Sequence, residues 1–297
     1  MKKNDLLDQF YKKRKNLVLR FFLSSIFFLT LVISLIKFQD REDFIAKISI
    51  QGIIQDRSDL VSQINELIDN EKVKGLITIV NSPGGTYVGS KELYDSIEKV
   101  SKKIPTVVYM KEMATSGGYL ATLSSDKIFG NEGTITGSVG VILQTADITE
   151  LLEKIGISPI IVKSGEFKAV PNPAEKINNE KLMYLQEVIR EMQKEFLELV
   201  KISRNVSESV LEMISDGRIL TGKEAKNLKL IDHVGNESDA LEWLKDEAKV
   251  DDNIRIIDFS LQNDLSSILG LSFLKKKINY FNQNFYNGFV AIWVPGI

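Results

Sequence analysis

The amino-acid sequence predicts an α/β protein with a mostly parallel sheet, preceded by one membrane helix. Three observations carry that reading. From residue 44 onward short apolar runs alternate with stretches of helical spacing, two of the runs lead into paired glycines, and an uncharged apolar block follows a basic N-terminus. A length of 297 residues leaves room for a large core, and 43% hydrophobic with 26% charged residues excludes disorder as the main state.

The first twenty residues hold seven Lys and Arg against two Asp, a net +5 in a chain whose total is −2. Directly after Arg20 comes FFLSSIFFLTLVISLI, Phe21 to Ile36, with no charge until Lys37. With Leu17, Val18 and Phe38 as flanks, and Arg20 and Lys37 able to snorkel, the block reaches the ~20 residues needed to cross a bilayer. A cleaved signal peptide needs a small-x-small site, whereas this block ends in Leu35, Ile36 and Phe38. A buried core helix would carry polar residues on part of its circumference. The expectation is a cytoplasmic basic segment at 1–20, a transmembrane anchor at 21–37 and, by the positive-inside rule, a body placed across the membrane.

Phe44 to Ile54 alternates like a strand, and Leu60 to Ile68 has helical spacing. Leu76 to Val80 is a short buried-strand run that ends in Asn81-Ser82-Pro83-Gly84-Gly85. A helix follows from about Ser90 to Val100, then a strand from Thr106 to Tyr109 entered through Pro105, then a glycine-rich break and another helix. Ile160 to Val162 reads as a further strand. Leu182, Leu185, Ile189, Met192, Phe196 and Leu199 mark a long helix, about Asn178 to Arg204, whose apolar face fits core packing better than an oligomer seam. Strands separated by helices imply right-handed crossovers, with the site at the carboxyl ends of the strands. At the C-terminus FVAIWVPGI is too short to span a bilayer, while Lys275 to Lys277 and nearby aromatics suit a membrane surface.

Composition narrows the chemistry. With 0 Cys there is no disulfide, thiolate metal site or cysteine nucleophile, and with 1 His (His233) there is no multi-histidine metal site. No metal or cofactor is expected. The charge balance opposes a nucleic-acid partner, which requires a basic surface. Gly84-Gly85 and Gly117-Gly118 each follow a strand, and Ser116 stands directly before the second pair. Paired glycines admit backbone N–H groups close to a ligand, and a helix N-terminus adds positive potential, the ingredients of an oxyanion hole. The plain alternative is that glycines permit tight turns; phosphate cradling lacks its sequence motifs. A serine nucleophile needs a base. His233 lies in the polar stretch LKLIDHVGNES and reads as a solvated turn residue, which leaves a lysine kept neutral by burial. The candidate is Lys168 in IIVKSGEFKAVPNP, beside Phe167, Ala169 and Val170.

In order and spacing, NSPGG, ATSGGY, GTITGSVGVI, KSGEFK and GRILTGKEAKNLKLID resemble the signal peptide peptidase family of membrane-anchored serine proteases (protease IV, SppA type), in its single-repeat form. The resemblance covers roughly residues 44–235. It implies a Clp-protease/crotonase-like fold of repeated ββα units over 44–250, with 251–297 as an extension of uncertain role. It implies Ser116 as nucleophile, Lys168 as general base, Ser138 as the group that orients the lysine amine, and oxyanion donors from Gly117 and from Gly84 or Gly85. Thr115 departs from the small, alanine-like residue usual before the serine. The implied activity is endopeptidase cleavage of signal-peptide remnants and other hydrophobic peptides at the bacterial inner membrane, with the N-terminus cytoplasmic and the catalytic domain outside. The implied assembly is a homo-oligomeric ring, in which a lysine from the adjacent protomer can complete each site. Two rival readings are a crotonase-like acyl-CoA enzyme, which needs no serine-lysine pair, and a non-catalytic membrane scaffold, which tolerates loss of Ser116.

Overall fold

A computed structural model of the chain describes residues 20–30, 42–259 and 290–292, which belong to two compact units, Met1–Asp43 and Phe44–Ile297. The first unit shows a helix, α1, over residues 20–30, with Phe21, Phe22, Phe27 and Phe28 exposed. At 1.5 Å per residue it covers roughly half of a ~30 Å hydrocarbon layer. The rest of the expected anchor, residues 31–37, and the basic segment 1–19 lie outside the described residues, as do Lys275 to Lys277. Among the described residues no helix is long and apolar enough to cross a membrane.

The second unit opens with β1 (Phe44–Gln51), α2 (Ser58–Leu67), β2 (Val73–Ser82), β3 (Gly84–Thr86), α3 (Tyr87–Ser101), β4 (Thr106–Thr115) and α4 (Gly117–Thr122). Next come β5 (Lys127–Gly130), β6 (Ile135–Gly137), α5 (Thr149–Lys154), α6 (Asn179–Arg204), α7 (Glu208–Ile214), β7 (Ile219–Thr221) and α8 (Gly222–Asn227). It closes with β8 (His233–Val234), α9 (Glu237–Ala248), β9 (Arg255–Asp258) and β10 (Val290–Ile292). The main sheet runs β7-β6-β4-β2-β1-β9, with β5 joining β4 to β8. Every pairing in it is parallel except that of β6 with β7. The result is a mixed α/β fold with a parallel-rich sheet.

Both faces of the central strands are covered, which is why their sequences read as continuous apolar runs rather than alternating ones. Ile48, Ile50, Leu76, Val80, Val108 and Met110 pack into the larger core, together with Leu93 and Ile97 of α3 and Phe196 and Val200 of α6. Ile45, Ile77, Ile79 and Val107 turn to the other face, where Ala240 and Leu244 of α9 cover them. The long helix α6 starts where the Asn178 side chain accepts the Lys181 amide at 2.9 Å, and ends on Asn205 in the left-handed region. Its apolar face is mostly core, as expected, although Leu182 in the first turn is exposed.

Two expectations need correction. The strand expected at Ile160 to Val162 does not form: Ile160 is 91% and Val162 93% exposed, with no neighbouring strand among the described residues to receive their backbone groups. Conversely, β4 does not stop at the polar Lys111-Glu112 but continues to Thr115, because Met113 to Thr115 find a second partner in β6. Residues 142–178 form an arm in which α5 is the one regular helix and buries no side chain.

Candidate active site

Ser116 occupies the junction of β4 and α4, where strand must give way to helix without an intervening loop. It does so at φ 52° and ψ −120°, a conformation that side-chain-bearing residues rarely hold and that clusters at functional sites. Two bonds fix the bend: the Ser116 amide donates to the Gly137 carbonyl at 2.8 Å, and the Leu120 amide donates to the Ser116 carbonyl at 2.9 Å. The residue is 1% exposed, and its Oγ donates to the Gly140 carbonyl at 3.3 Å. Ser138, one step past Gly137, also has positive φ, and its amide donates to the Arg218 carbonyl at 2.8 Å. The parallel pairing of Thr115 with Gly137 thus carries Ser116 and Ser138 to neighbouring strand ends.

The two glycine loops converge on the same place. A Cβ on Gly118 would stand 2.7 Å from the Ser82 carbonyl, so glycine lets the N-terminus of α4 abut the loop after β2. Gly84, at φ 102°, donates its amide to Ser82 Oγ at 3.1 Å, and Ser82 Oγ donates to the Gly52 carbonyl at 2.6 Å. A Cβ on Gly85 would fall 1.7 Å from the Ile54 carbonyl oxygen. Ile54 N–H donates to Gly84 and Thr86 N–H donates to Ile54, so strand alternation turns the Gly85 N–H and C=O to the opposite edge of β3. Along that edge β10 pairs antiparallel, Ala291 opposite Gly85. The Gly84 amide is therefore engaged internally, while the Gly117 amide lies in the first turn of α4, where no intrahelical acceptor exists.

Lys168 stands apart. It is exposed on the arm, at the end of a tight turn in which its amide donates to the Gly165 carbonyl at 3.0 Å, and Ala169 follows at φ 62°. Among the described residues no hydrogen bond or ion pair joins it to Ser116. The burial expected around Lys168 is not supplied within one chain. The turn is fastened to α6 instead: Phe167 packs on Tyr184 with ring centroids 5.0 Å apart, and Glu175 grips both Lys163 and Lys181. His233 sits in β8, stacked on Phe129 at 4.7 Å, and burial holds its imidazole below the usual range.

Sequence reasoning missed the Gly140 carbonyl, the Arg218 carbonyl beneath Ser138 and the grip of Glu175. The GSVG sequence marks the first of these; no periodicity brings Lys163, Glu175 and Lys181 together before α6 is folded.

The model of peptidase family S49 matches residues 98–251. An inferred protease of Methanocaldococcus jannaschii is 35% identical, covering 74% of this chain and 71% of its own. One from Synechocystis is 34% identical over 70% of this chain and 75% of its own. The chain belongs to peptidase family S49. An inferred signal peptide peptidase SppA of Enterococcus faecium, 34% identical, covers 70% of this chain, which spans 64% of that relative's length. This S49 chain is accordingly a serine peptidase of the SppA family, and its mixed α/β fold agrees with that membership.

Proposed function

We propose that this S49 peptidase is a membrane-anchored endopeptidase in which Ser116 of one copy is activated by Lys168 of a neighbouring copy. One observation supports this above all: the nucleophile is finished and buried within a chain, while the arm that holds the base is exposed. The arm carries Leu151, Ile155, Ile157, Ile160 and Val162 in solvent. A second copy seated on them would remove that surface from water and desolvate Lys168, which is what a neutral lysine at working pH requires.

In the assembled site the Lys168 amine takes the Ser116 proton as Oγ attacks the peptide carbonyl, with Ser138 holding the amine. The developing oxyanion is met by the Gly117 amide, and by that of Gly85 once β10 leaves the β3 edge. The lysine returns its proton to the leaving amine, and water then releases the acyl-enzyme with the same base. No step in this scheme calls on a metal or cofactor. The edge of β3 pairs with β10, so an extended peptide binds there by strand addition only in exchange for β10. Substrates of hydrophobic character, signal-peptide remnants among them, fit an enzyme held in the inner membrane by residues 21–37 with its body outside.

The test is peptide hydrolysis by wild type, Ser116→Ala and Lys168→Ala, alone and co-assembled. Each variant alone should lose several orders of magnitude, and the mixture should regain activity. A mixture of verified hetero-oligomers that stays inactive would place both residues within one chain.

A further inference from the structure

We propose that Glu175 is a positioning residue for the base: by gripping Lys163 and Lys181 it ties both limbs of the Lys168 turn to the first turn of α6. The inference rests on Lys168 acting as the base.

The carboxylate faces two cations. Its Oε1 accepts from Lys181 Nζ at 2.9 Å and its Oε2 from Lys163 Nζ, while Glu166 Oε2 stands 3.8 Å from the same Lys181 amine. Lys163 precedes the turn, Glu175 follows it, and Lys181 belongs to α6, so one acid closes the segment that carries Lys168 and anchors it to a rigid helix. The lysine side chains are 13% and 9% exposed, far less than an ordinary surface pair. The carboxyl is held below its usual range, first by Lys163 and then by Lys181, so the grip is ionised at neutral pH. No α5 side chain is buried, and among the described residues the Phe167–Tyr184 ring contact also ties the arm to α6. The same arrangement engages Lys163 and Lys181 with an acid, whereas Lys168 has no acid partner among the described residues.

A base misplaced by about 1 Å can cost on the order of a hundredfold in rate. Glu175→Gln, which keeps the shape and removes the charge, should lower kcat by about tenfold or more, leave peptide KM within about twofold, and be partly rescued by Glu175→Asp. The decisive reading is co-assembly. Glu175→Gln chains mixed with Ser116→Ala chains should regain activity, because the second chain supplies an intact base arm; mixed with Lys168→Ala chains they should not. Lys163→Met should follow the same pattern, and reads it where Glu175→Gln fails to fold. A kcat within twofold of wild type, or equal recovery in both mixtures, overturns the proposal. If the Ser116→Ala and Lys168→Ala control mixture fails, the shared site is wrong, and the kcat loss at constant KM decides for Glu175 alone. Full activity in Lys168→Ala removes the base, and this proposal with it.

Discussion

The amide of Ser116 donates to the carbonyl of Gly137 at 2.8 Å, so the nucleophile's backbone is held by the strand whose next residue is Ser138. Gly137 itself lies at φ 79°, and a Cβ there would stand 3.0 Å from the Arg218 carbonyl that receives the Ser138 amide. Two serines at positive φ, on adjacent parallel strand ends, are thus set by one ladder of backbone bonds. A left-handed conformation costs an L residue roughly 1–2 kcal/mol, and the surrounding sheet sustains it twice within a few ångströms of the reacting centre.

Ser138→Ala tests the second of those serines. The backbone at 138 is retained, so thermal stability should hold, while kcat should fall by about 10- to 100-fold with KM little changed, the loss expected of a group that orients a base. Steady-state kinetics on a chromogenic peptide read both parameters, and an unchanged kcat would remove Ser138 from the site.

Gly118→Ala tests the junction of the two glycine loops. The added methyl would meet the Ser82 carbonyl at 2.7 Å, backbone against side chain, and neither wall can give without parting α4 from the loop after β2. Loss of one oxyanion donor typically costs 10²–10³ in kcat, so a fall of about that size is expected, checked with an unfolding curve to show that the protein still folds.

How much of this was legible beforehand follows from what each feature depends on. The bend at Ser116 was readable because strand, serine and paired glycine are consecutive in the chain. The buried central strands were readable because both faces are covered, and the anchors of α6 because Asn178 caps it. The false strand at Ile160 to Val162 shows the limit: apolar residues in a row imply burial, but within the chain both side chains are left in solvent. Lys168 stands out by its setting in the sequence, yet the burial expected around it is not supplied within one chain. The tripartite contact of Glu175 arises only when the arm folds back on α6, across spacings with no helical or strand period.

His233 supplies a pH test with a worked sign. Partial desolvation, with the Lys226 and Lys127 cations adding to it, lowers its folded pKa below 6.5, so the unfolded chain binds the proton more readily. Its contribution to stability is whole above pH 6.5 and fades as pH falls through the depressed folded value. The melting temperature should therefore drop on acidification over this window, and less so in His233→Gln. The rise of kcat/KM toward alkaline pH should be the same in both proteins, because the proposed base is Lys168 and not this histidine; an acid limb that vanishes in His233→Gln would show otherwise.

Ile160→Ser with Val162→Ser tests the arm as an interface. Full burial of such a side chain is worth about 1.5–3 kcal/mol, so the pair should weaken self-association by far more than tenfold. Sedimentation should show smaller species at a given concentration, with activity returning as concentration rises, and unfolding by urea should be nearly unchanged since both side chains are already solvated in a lone chain.

The exposure of the arm also bears on how such an enzyme is born. On the proposed shared site, a newly made copy would carry its serine in place with no base in reach, and would resemble a zymogen whose activating event is an encounter rather than a cut. Proteolytic power would then grow more steeply than in proportion to the number of copies in a patch of membrane. A scattered few would be harmless to the proteins passing beside them, and a crowd would become a degradative machine.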